Sequence, residues 1–425
     1  MSSGAVNPSL NPDISRRNYA WVIVIACTLM MAVTYGIMYS FSVFFKPLAE
    51  HFNWDRATVS LIYSISLVMR GGISILTGWL ADRYGAKKLM VFCGLMIGLG
   101  LILSSQAQSL WQLLLSYSLI EAIGLSGTFG ITTAVTSRWF TRNRGLALGV
   151  VSSGVGIGTL LMVPGAEKLI QAVQWPQAFF IMGIVSGLIV IIGAFFLKPP
   201  PTIPAAAAET KNGKGPSWHS FPPTPVPDLS LKQAIVNLPM MMVIMVFCLL
   251  FFSTHIVMVH LVNYATDMGL SPLVAASLVS IIGVVSIAGR LVMGAGSDKL
   301  GMHNIIILVC GLLCLALFCL IFIRQLWAFY FFAVFFGFAY GGEVPQIPLL
   351  VSAIGGTRRL ATLIGLTLFL GNVGGALGPW VAGKIFDLTG HYYWAFGLGA
   401  AAAFLACLLA FILKRKISPE NRNTG

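Results

Sequence analysis

Four charged residues stand in the middle of long apolar stretches of this sequence: Arg70, Glu121, Arg290 and Glu343. An arginine at the centre of a membrane helix costs about 2.5–3.5 kcal/mol on insertion scales, so it normally faces a partner or a watery cavity. A guanidinium group can also hold a carboxylate through two parallel hydrogen bonds. We therefore interpret Arg290, within the stretch 283–301, as the cation that binds an anionic substrate.

The two glutamates allow other roles. Counted at about 1.5 Å per residue from the predicted span ends, Arg70 and Glu121 fall at similar depths, and so do Arg290 and Glu343. Each pair could be structural and neutralise itself in a low dielectric, which is the favoured interpretation of Arg70 and Glu121. Alternatively, Glu343 competes with the substrate for Arg290, or it faces elsewhere. Glu121 and Glu343 are also candidates for proton coupling.

Histidine supplies a third candidate for proton coupling. His260 lies toward one end of an apolar run and is followed by Asn263 and Tyr264. Imidazole changes charge near physiological pH, so His260 could carry a proton with the substrate. A histidine that only stabilises the fold is an almost equally good interpretation.

Aromatic side chains give weaker signals. Cavities for small substrates are mostly apolar with a few polar groups, so some of these residues could line one. Packing inside a helix bundle is the simpler explanation for each of them. The candidates for substrate contact are Tyr35, Met38, Phe129 and Tyr340.

These residues need a membrane scaffold to position them. Of the 425 residues, 57% are hydrophobic and only 9% are charged, whereas soluble domains carry about 25% charged residues. Long apolar runs recur along almost the whole chain, which predicts an all-α protein embedded in a lipid bilayer. The net charge of +13 does not indicate nucleic-acid binding, because the basic residues are spread over short loops.

Twelve apolar runs of about 20–30 residues are long enough to cross the hydrocarbon core. Spans 1 to 6 are expected near 19–45, 57–81, 87–106, 110–137, 144–170 and 175–197. Spans 7 to 12 are expected near 236–265, 272–297, 303–323, 327–353, 359–386 and 391–413.

A proline-rich stretch divides the spans into two sets of six. We predict two pseudo-symmetric six-helix bundles, 1–197 and 236–425, joined by a cytoplasmic linker over 198–235. Most of the 26 lysine and arginine residues fall on the side of the membrane that also holds both termini. The positive-inside rule therefore predicts a plasma (inner) membrane protein with cytoplasmic termini.

The two halves share a loop motif. GWLADRYGAKK at 78–88 follows span 2, and GAGSDKLG at 294–301 follows span 8. In each, a glycine precedes an aspartate by four residues, and a basic residue follows the aspartate. The first motif contains Asp82 and Arg83, and the second contains Asp298.

The first motif resembles the loop signature of the major facilitator superfamily, and this resemblance covers all twelve spans. Three further stretches are similar to monocarboxylate transporters and to the related oxalate/formate exchangers: YSFSVFFKPL, SRWFTRNRGLALGVVSSGVGIG, and HLVNYATDMGLSP leading to GRLVMGAGSDKLG. The resemblance implies that span 8 carries the substrate-binding arginine, here Arg290. It also implies that Asp82, Arg83 and Asp298 take part in gating.

Two departures from these relatives concern charge. Ser286 stands where mammalian-type monocarboxylate carriers have an aspartate, and span 1 lacks their lysine. Asn372 occupies the middle of span 11, where oxalate exchangers have a second cation, so we include Asn372 among the substrate-contact candidates. One buried cation suits a substrate with one carboxylate.

The sequence therefore predicts a monomeric secondary carrier for a small monocarboxylate such as lactate or pyruvate, moving with a proton. A carboxylate exchanger is the nearest alternative, and a membrane sensor that binds the anion without moving it is an alternative of another class. We expect no enzyme activity and no cofactor. We also expect no metal site, because the seven cysteines lie in apolar segments and form no CxxC pair.

Overall fold

The computed structural model describes residues 12–140, 144–198, 229–356 and 360–417. These residues form helices and connecting turns, and no strand occurs among them. Eleven of the helices are long and apolar enough to cross a membrane. In order, the helices are Pro12–Phe52, Arg56–Tyr84, Ala86–Ser104, Leu110–Trp139, Arg144–Phe195, Leu231–Val236, Leu238–Asp267, Pro272–Leu300, Met302–Leu320, Leu326–Gly355, Leu360–Thr389 and Tyr393–Ile417.

The helix Arg144–Phe195 has 52 residues and is interrupted at Gln174, where φ is 65° and ψ is 165°. Before the interruption, Gly154 packs against Thr28 and Gly158 packs against Ala32, so this segment runs parallel to span 1. These approaches bring helix backbones together because glycine lacks a side chain. The first segment, 144–173, corresponds to the predicted span 5.

Beyond the interruption the chain runs back. Phe179 stacks on Phe44 with ring centroids 3.9 Å apart, and Gly193 packs against Met30. The contacts now move toward the start of span 1, so the segment 175–195 is antiparallel to it and corresponds to span 6. Counting the two segments separately turns eleven candidates into the predicted twelve spans.

Small residues allow these helices to approach closely, as in many membrane bundles. A Cβ atom added at Gly158 would lie 1.9 Å from the carbonyl oxygen of Ala32. Gly94 and Gly187 face each other in the same way between spans 3 and 6, where a Cβ on either would lie 3.0–3.1 Å from the other's carbonyl oxygen. The glycine-rich composition is therefore used for helix packing.

The repeated loop motif has the same backbone in both halves. Gly85 joins spans 2 and 3 with φ 92° and ψ 142°, and Gly301 joins spans 8 and 9 with φ 84° and ψ 140°. Side chains rarely adopt this positive φ, which explains a glycine at both positions. The predicted pseudo-symmetry is thus visible at the turn where the sequence repeats.

Two helix pairs form the largest contacts between spans 1–6 and spans 7–12. Between spans 2 and 11, Ser64 Oγ donates to the carbonyl oxygen of Ala376 at 2.5 Å. Between spans 5 and 8, a Cβ at Gly283 would lie 2.6 Å from Thr159 Cβ. Most of the predicted linker lies outside the described residues, and its end forms the short helix Leu231–Val236. The bundle boundaries 1–197 and 236–425 stay a prediction.

Candidate functional site

Arg290 lies on span 8 where the two halves meet. Its Nη1 donates to the carbonyl oxygen of Ser152 on span 5 at 3.1 Å. Its Nε is buried without a hydrogen-bond partner in the described residues. No carboxylate of those residues lies within 4.0 Å of it, since both ion pairs found there involve other groups. The guanidinium therefore retains donors for an anion.

Two tyrosines from opposite halves join beside Arg290. The hydroxyl of Tyr340 on span 10 hydrogen bonds to that of Tyr39 on span 1, and it lies within interaction range of the Arg290 guanidinium. Tyr35 lies one helical turn before Tyr39, and the two ring centroids are 6.3 Å apart. A cation flanked by phenol hydroxyls is well suited to hold a carboxylate.

The other substrate-contact candidates are more dispersed. Met38 is buried in the helix bundle, whereas Phe129 is 38% exposed. The Nδ2 atom of Asn372 lies 3.1 Å from the place a Cβ of Gly71 would take, so Asn372 sits against span 2. None of the three forms a hydrogen bond to Arg290 among the described residues.

Neither Arg–Glu pair considered from the sequence is an ion pair among the described residues. Arg70 Nη2 donates to Ser66 Oγ at 3.1 Å, one turn earlier on its own helix. Glu343 instead accepts a hydrogen bond from Thr254 on span 7 at 3.2 Å. Similar depth in the membrane is therefore not sufficient for an Arg–Glu ion pair. The Arg290 side chain hydrogen bonds to span 5, whereas the Glu343 side chain hydrogen bonds to span 7.

The two ion pairs of the described residues both lie at the face opposite the chain termini, which we call the far face. Asp267, at the end of span 7, binds Lys46 of span 1 with an N–O distance of 2.7 Å. The same carboxylate binds Arg56 of span 2 at 2.8 Å. Both ion pairs join one half of the chain to the other.

Asp387 adds a second connection at the far face. Its carboxylate accepts from the backbone N–H groups of Arg56 at 2.9 Å and Ala57 at 2.8 Å. Asp55 caps the same helix by accepting from the N–H of Thr58 at 2.8 Å. The first N–H groups of span 2 are thus bonded partly by its own cap and partly by span 11 of the other half.

His260 belongs to this far-face cluster. Its Nδ1 lies 3.0 Å from the Tyr392 hydroxyl, and its Nε2 lies 2.9 Å from the carbonyl oxygen of Pro379. Tyr392 in turn accepts from Nη1 of Arg56 at 2.5 Å. Both ring nitrogens of His260 are therefore engaged, and no hydrogen bond joins it to Arg290 among the described residues. Its role in proton coupling stays a prediction.

At the face that carries the termini, the terminal face, several glycines border open space. Gly383, near the far face, would place a Cβ 2.7 Å from the carbonyl oxygen of Arg56. Five glycines in the terminal-face ends of the inner spans would place a Cβ with nothing within 4 Å: Gly78, Gly130, Gly149, Gly294 and Gly365. The described residues thus form a bundle that is closed at the far face.

The predicted gating residues lie at the terminal face. The side chains of Asp82 and Asp298 lie outside the described residues, although their helices are described. Arg83 is exposed, and its Cζ lies 5.4 Å from the ring centroid of Trp79. Their gating role is an expectation from the resemblance.

Sequence reasoning missed the far-face residues Asp267, Asp387 and Tyr392 as a group. Each lies near a span end, where charged and polar residues are common and therefore give no specific signal. Their positions after spans 7 and 11 were the available signal, since those spans neighbour spans 1 and 2 in a pseudo-symmetric bundle. Tyr39 shares a stripe of span 1 with Tyr35 and Met38, and its bond to Tyr340 adds it to the candidates for substrate contact.

Comparison with known proteins agrees with this architecture. The family model described as Major Facilitator Superfamily matches residues 27–379. Monocarboxylate transporter 12 of Rattus norvegicus is 30% identical over 414 residues, covering 92% of this chain and 85% of that protein. Monocarboxylate transporter 4 of Mus musculus is 26% identical over 405 residues, covering 93% of this chain and 83% of that protein.

A solved structure shows the same arrangement of helices. It is a bacterial homologue of the human lysosomal transporter Spinster, in an inward-facing and unoccupied conformation. The TM-score is 0.72, with 94% of this chain and 99% of that chain covered at 16% sequence identity. At this identity the likeness concerns the fold alone.

Proposed function

This chain belongs to the Major Facilitator Superfamily, and from that premise we propose that it is a symporter of a proton and a small monocarboxylate such as lactate or pyruvate. It is a transporter rather than an enzyme, and its similarity to monocarboxylate transporters supports an anionic substrate. We place it in the plasma membrane as a monomer, with the terminal face toward the cytoplasm.

The observation that carries the proposal is the state of Arg290. It is a cation between two helix bundles, its Nε has no partner among the described residues, and the Tyr340 hydroxyl lies beside it. A carboxylate can accept from Nε and the adjacent Nη in parallel, while Ser152 holds the remaining part of the guanidinium. Tyr340 can donate to the same carboxylate.

Charge balance supports the proton. The middles of the described spans carry two arginines and two glutamates, so this set is neutral when all four are ionised. A bound monocarboxylate adds one negative charge in a low dielectric, where an unpaired charge is expensive. One proton on a buried glutamate restores neutrality. Symport of one proton with one monocarboxylate therefore needs no further counter-ion.

Alternating access would use the two faces in turn. The far-face cluster holds the halves together while the substrate exchanges with the terminal face, and its ion pairs must break for the far face to open. Asp82, Arg83 and Asp298 would close the terminal face in the other state. A buried site at the bundle interface then meets each side separately.

Reconstituted protein in liposomes tests the proposal. Uptake of radiolabelled lactate should rise when the outside is more acidic than the lumen, and it should proceed without internal substrate. Uptake that requires an internal carboxylate and ignores the pH gradient would indicate the exchanger. Binding without uptake would indicate the sensor.

A further inference from the structure

Four residues of spans 2 and 4 form a second polar cluster, separate from Arg290. Ten buried side-chain nitrogen and oxygen atoms have no hydrogen-bond partner in the described residues, and five of them belong to this cluster. They are Tyr63 Oη, Arg70 Nε, Tyr117 Oη and both carboxylate oxygens of Glu121. Each of the four residues interacts electrostatically with the other three.

The backbone of spans 3 and 4 is shaped around this cluster. Span 4 contains a π-helical segment, Leu114–Glu121, which carries both Tyr117 and Glu121. Such segments are rare and often occur at functional sites. Span 3 makes room with Gly100, where a Cβ would lie 2.5 Å from the backbone nitrogen of Glu121.

Aromatic packing helps to bury the cluster. The Phe41 ring lies between Tyr63 and Tyr117, with centroid distances of 5.5 and 5.2 Å. Glu121 is 0% exposed. Arg70 is less buried and also interacts with Tyr35, which interacts with Arg290 as well. Arg70 therefore lies between the buried carboxyl and the site around Arg290.

The chemistry of the cluster favours a proton over a metal cation. Buried polar groups in native proteins are nearly always hydrogen bonded, so these unpartnered atoms are suited to a ligand from outside the chain. A metal cation would be repelled by the fixed charge of Arg70. A proton instead converts Glu121 to a neutral carboxylic acid that can donate to a neighbouring oxygen.

We propose that Glu121 is the proton-binding group of this carrier, with Tyr63 and Tyr117 beside it, and that Arg70 transmits its charge state to the substrate at Arg290. This inference rests on the proposed function, because it names the residue that accepts the symported proton. Glu343 is the less suitable acceptor, since Thr254 already hydrogen bonds to its carboxylate.

The step is a simple proton transfer. A hydronium ion gives its proton to a carboxylate oxygen of Glu121, an O–H bond forms, and water remains. The positive charge of Arg70 is then no longer balanced and attracts the substrate anion toward Arg290. Release of the anion favours loss of the proton to the other side, because the coupling between the two ligands is reciprocal.

Few other titratable groups face Glu121. Span 2 contributes Arg70 and Tyr63, span 4 contributes Tyr117, and span 1 contributes the apolar ring of Phe41. Span 3 faces it with the backbone of Gly100. One step further away, His255 of span 7 interacts with Arg70, and its Nδ1 lies 2.8 Å from the carbonyl oxygen of Phe251.

Transport in liposomes tests the assignment with a matched pair of variants. Glu121→Gln imitates a permanently protonated carboxyl, so it should retain lactate counterflow but lose accumulation driven by a pH gradient. One-proton symport can reach about tenfold accumulation per pH unit, and we expect about onefold for this variant. Glu343→Gln changes the equivalent glutamate of span 10 and tests whether that carboxyl carries the proton instead.

Wild-type protein distinguishes failure of the proposed function from failure of the Glu121 assignment. Absence of lactate counterflow in wild type would refute the proposed function itself. If wild type shows normal counterflow and Glu121→Gln still accumulates lactate fully in a pH gradient, the assignment of Glu121 is wrong but the proposed function stands. The same conclusion follows if Glu343→Gln loses accumulation and Glu121→Gln does not.

Chemical labelling of wild-type protein covers the case in which Glu121→Gln does not fold. A hydrophobic carbodiimide reacts with protonated carboxyls in apolar surroundings, and mass spectrometry locates the adduct. Labelling of Glu121 that falls as pH rises supports the proposal. Labelling that is independent of pH, or that occurs at Glu343 and not at Glu121, contradicts it.

Discussion

Arg290 offers one particular edge to a substrate. Ser152 occupies Nη1 at 3.1 Å, so the edge that contains Nε is the one with donors to spare. A carboxylate can bind this edge through two parallel hydrogen bonds, whereas an ammonium group would act only as a point charge. The side chain therefore specifies both the charge and the orientation of its ligand.

Replacing Arg290 should remove substrate recognition. We expect Arg290→Ala to abolish lactate uptake and binding while the protein still inserts and folds, and Arg290→Lys to restore little of either. A charge-assisted hydrogen bond contributes about 1.5–3 kcal/mol, so loss of two such bonds lowers affinity at least about 100-fold. Isotope uptake and calorimetric binding measure the two effects.

Lys384→Ala is the matched control, since Lys384 is an exposed cation of the neighbouring span 11. It should transport like wild type. Near-normal uptake by Arg290→Ala would refute the substrate site.

At the scale of helices, the start of span 2 depends on both halves of the protein. Asp55 bonds the N–H of Thr58 from within the same half, whereas Asp387 bonds the N–H groups of Arg56 and Ala57 from the other half. Loss of an N-cap residue costs about 1 kcal/mol. This loss has different consequences at Asp55 and Asp387, because only the Asp387 contact joins the two halves of the protein.

Asp387→Ala should shift the protein toward a conformation with an open far face. A change of about 1 kcal/mol corresponds to roughly fivefold in the conformational equilibrium. Asp55→Ala should lower thermal stability by a similar energy without this shift. Spin labels at Gln108→Cys and Gln325→Cys, on a cysteine-free background, would report the separation of the halves. Identical distance distributions in both variants would count against Asp387 as a closing residue.

Helix packing within one half gives a second prediction at this scale. A Cβ at Gly158 would lie 1.9 Å from the carbonyl oxygen of Ala32, whereas one at Gly149 on the same span would meet nothing within 4 Å. Gly158→Ala should therefore destabilise the fold by about 1–3 kcal/mol through overpacking. Gly149→Ala should be neutral or stabilising. Thermal unfolding in detergent compares them, and equal melting temperatures would contradict the packing described for spans 1 and 5.

For the molecule as a whole, we expect the balance of buried charge to set substrate selectivity. Two arginines and two glutamates occupy the middles of the described spans. A monocarboxylate requires one proton for neutrality, and a dicarboxylate requires two. Asn372 adds no charge where a second cation would help a dianion. The bilayer interior thus penalises each uncompensated charge on the substrate.

Competition against radiolabelled lactate should therefore rank the acids by charge. Lactate and pyruvate should compete well, and oxalate and succinate poorly. Asn372→Lys should move this preference toward dianions, because it adds a cation inside the bundle, and Asn372→Gln is the neutral control. Tighter binding of oxalate than of lactate by wild type would contradict this charge argument.

Much of the architecture could be predicted from the sequence. Hydropathy located the twelve spans. The repeated glycine–aspartate motif marked two equivalent loops, and in the structure both contain a glycine with positive φ, Gly85 and Gly301. Tertiary neighbours could not be predicted in this way. The contact from Asp387 to Ala57 joins residues 330 positions apart, and the π-helical segment before Glu121 leaves no trace in an apolar pattern. Similar depth suggested Arg–Glu pairs, but helix rotation decides which side chains meet.

The aspartate shared across the far face has a consequence for solvent. When the halves part there, the amides of Arg56 and Ala57 and the carboxylate of Asp387 must be hydrated, and each closing event must remove that water. Water molecules thus enter the conformational equilibrium as reactants. Osmolytes that are excluded from the protein surface favour burial. A medium of high osmotic pressure should therefore favour the closed form of this contact, even when no substrate, proton gradient or membrane potential changes.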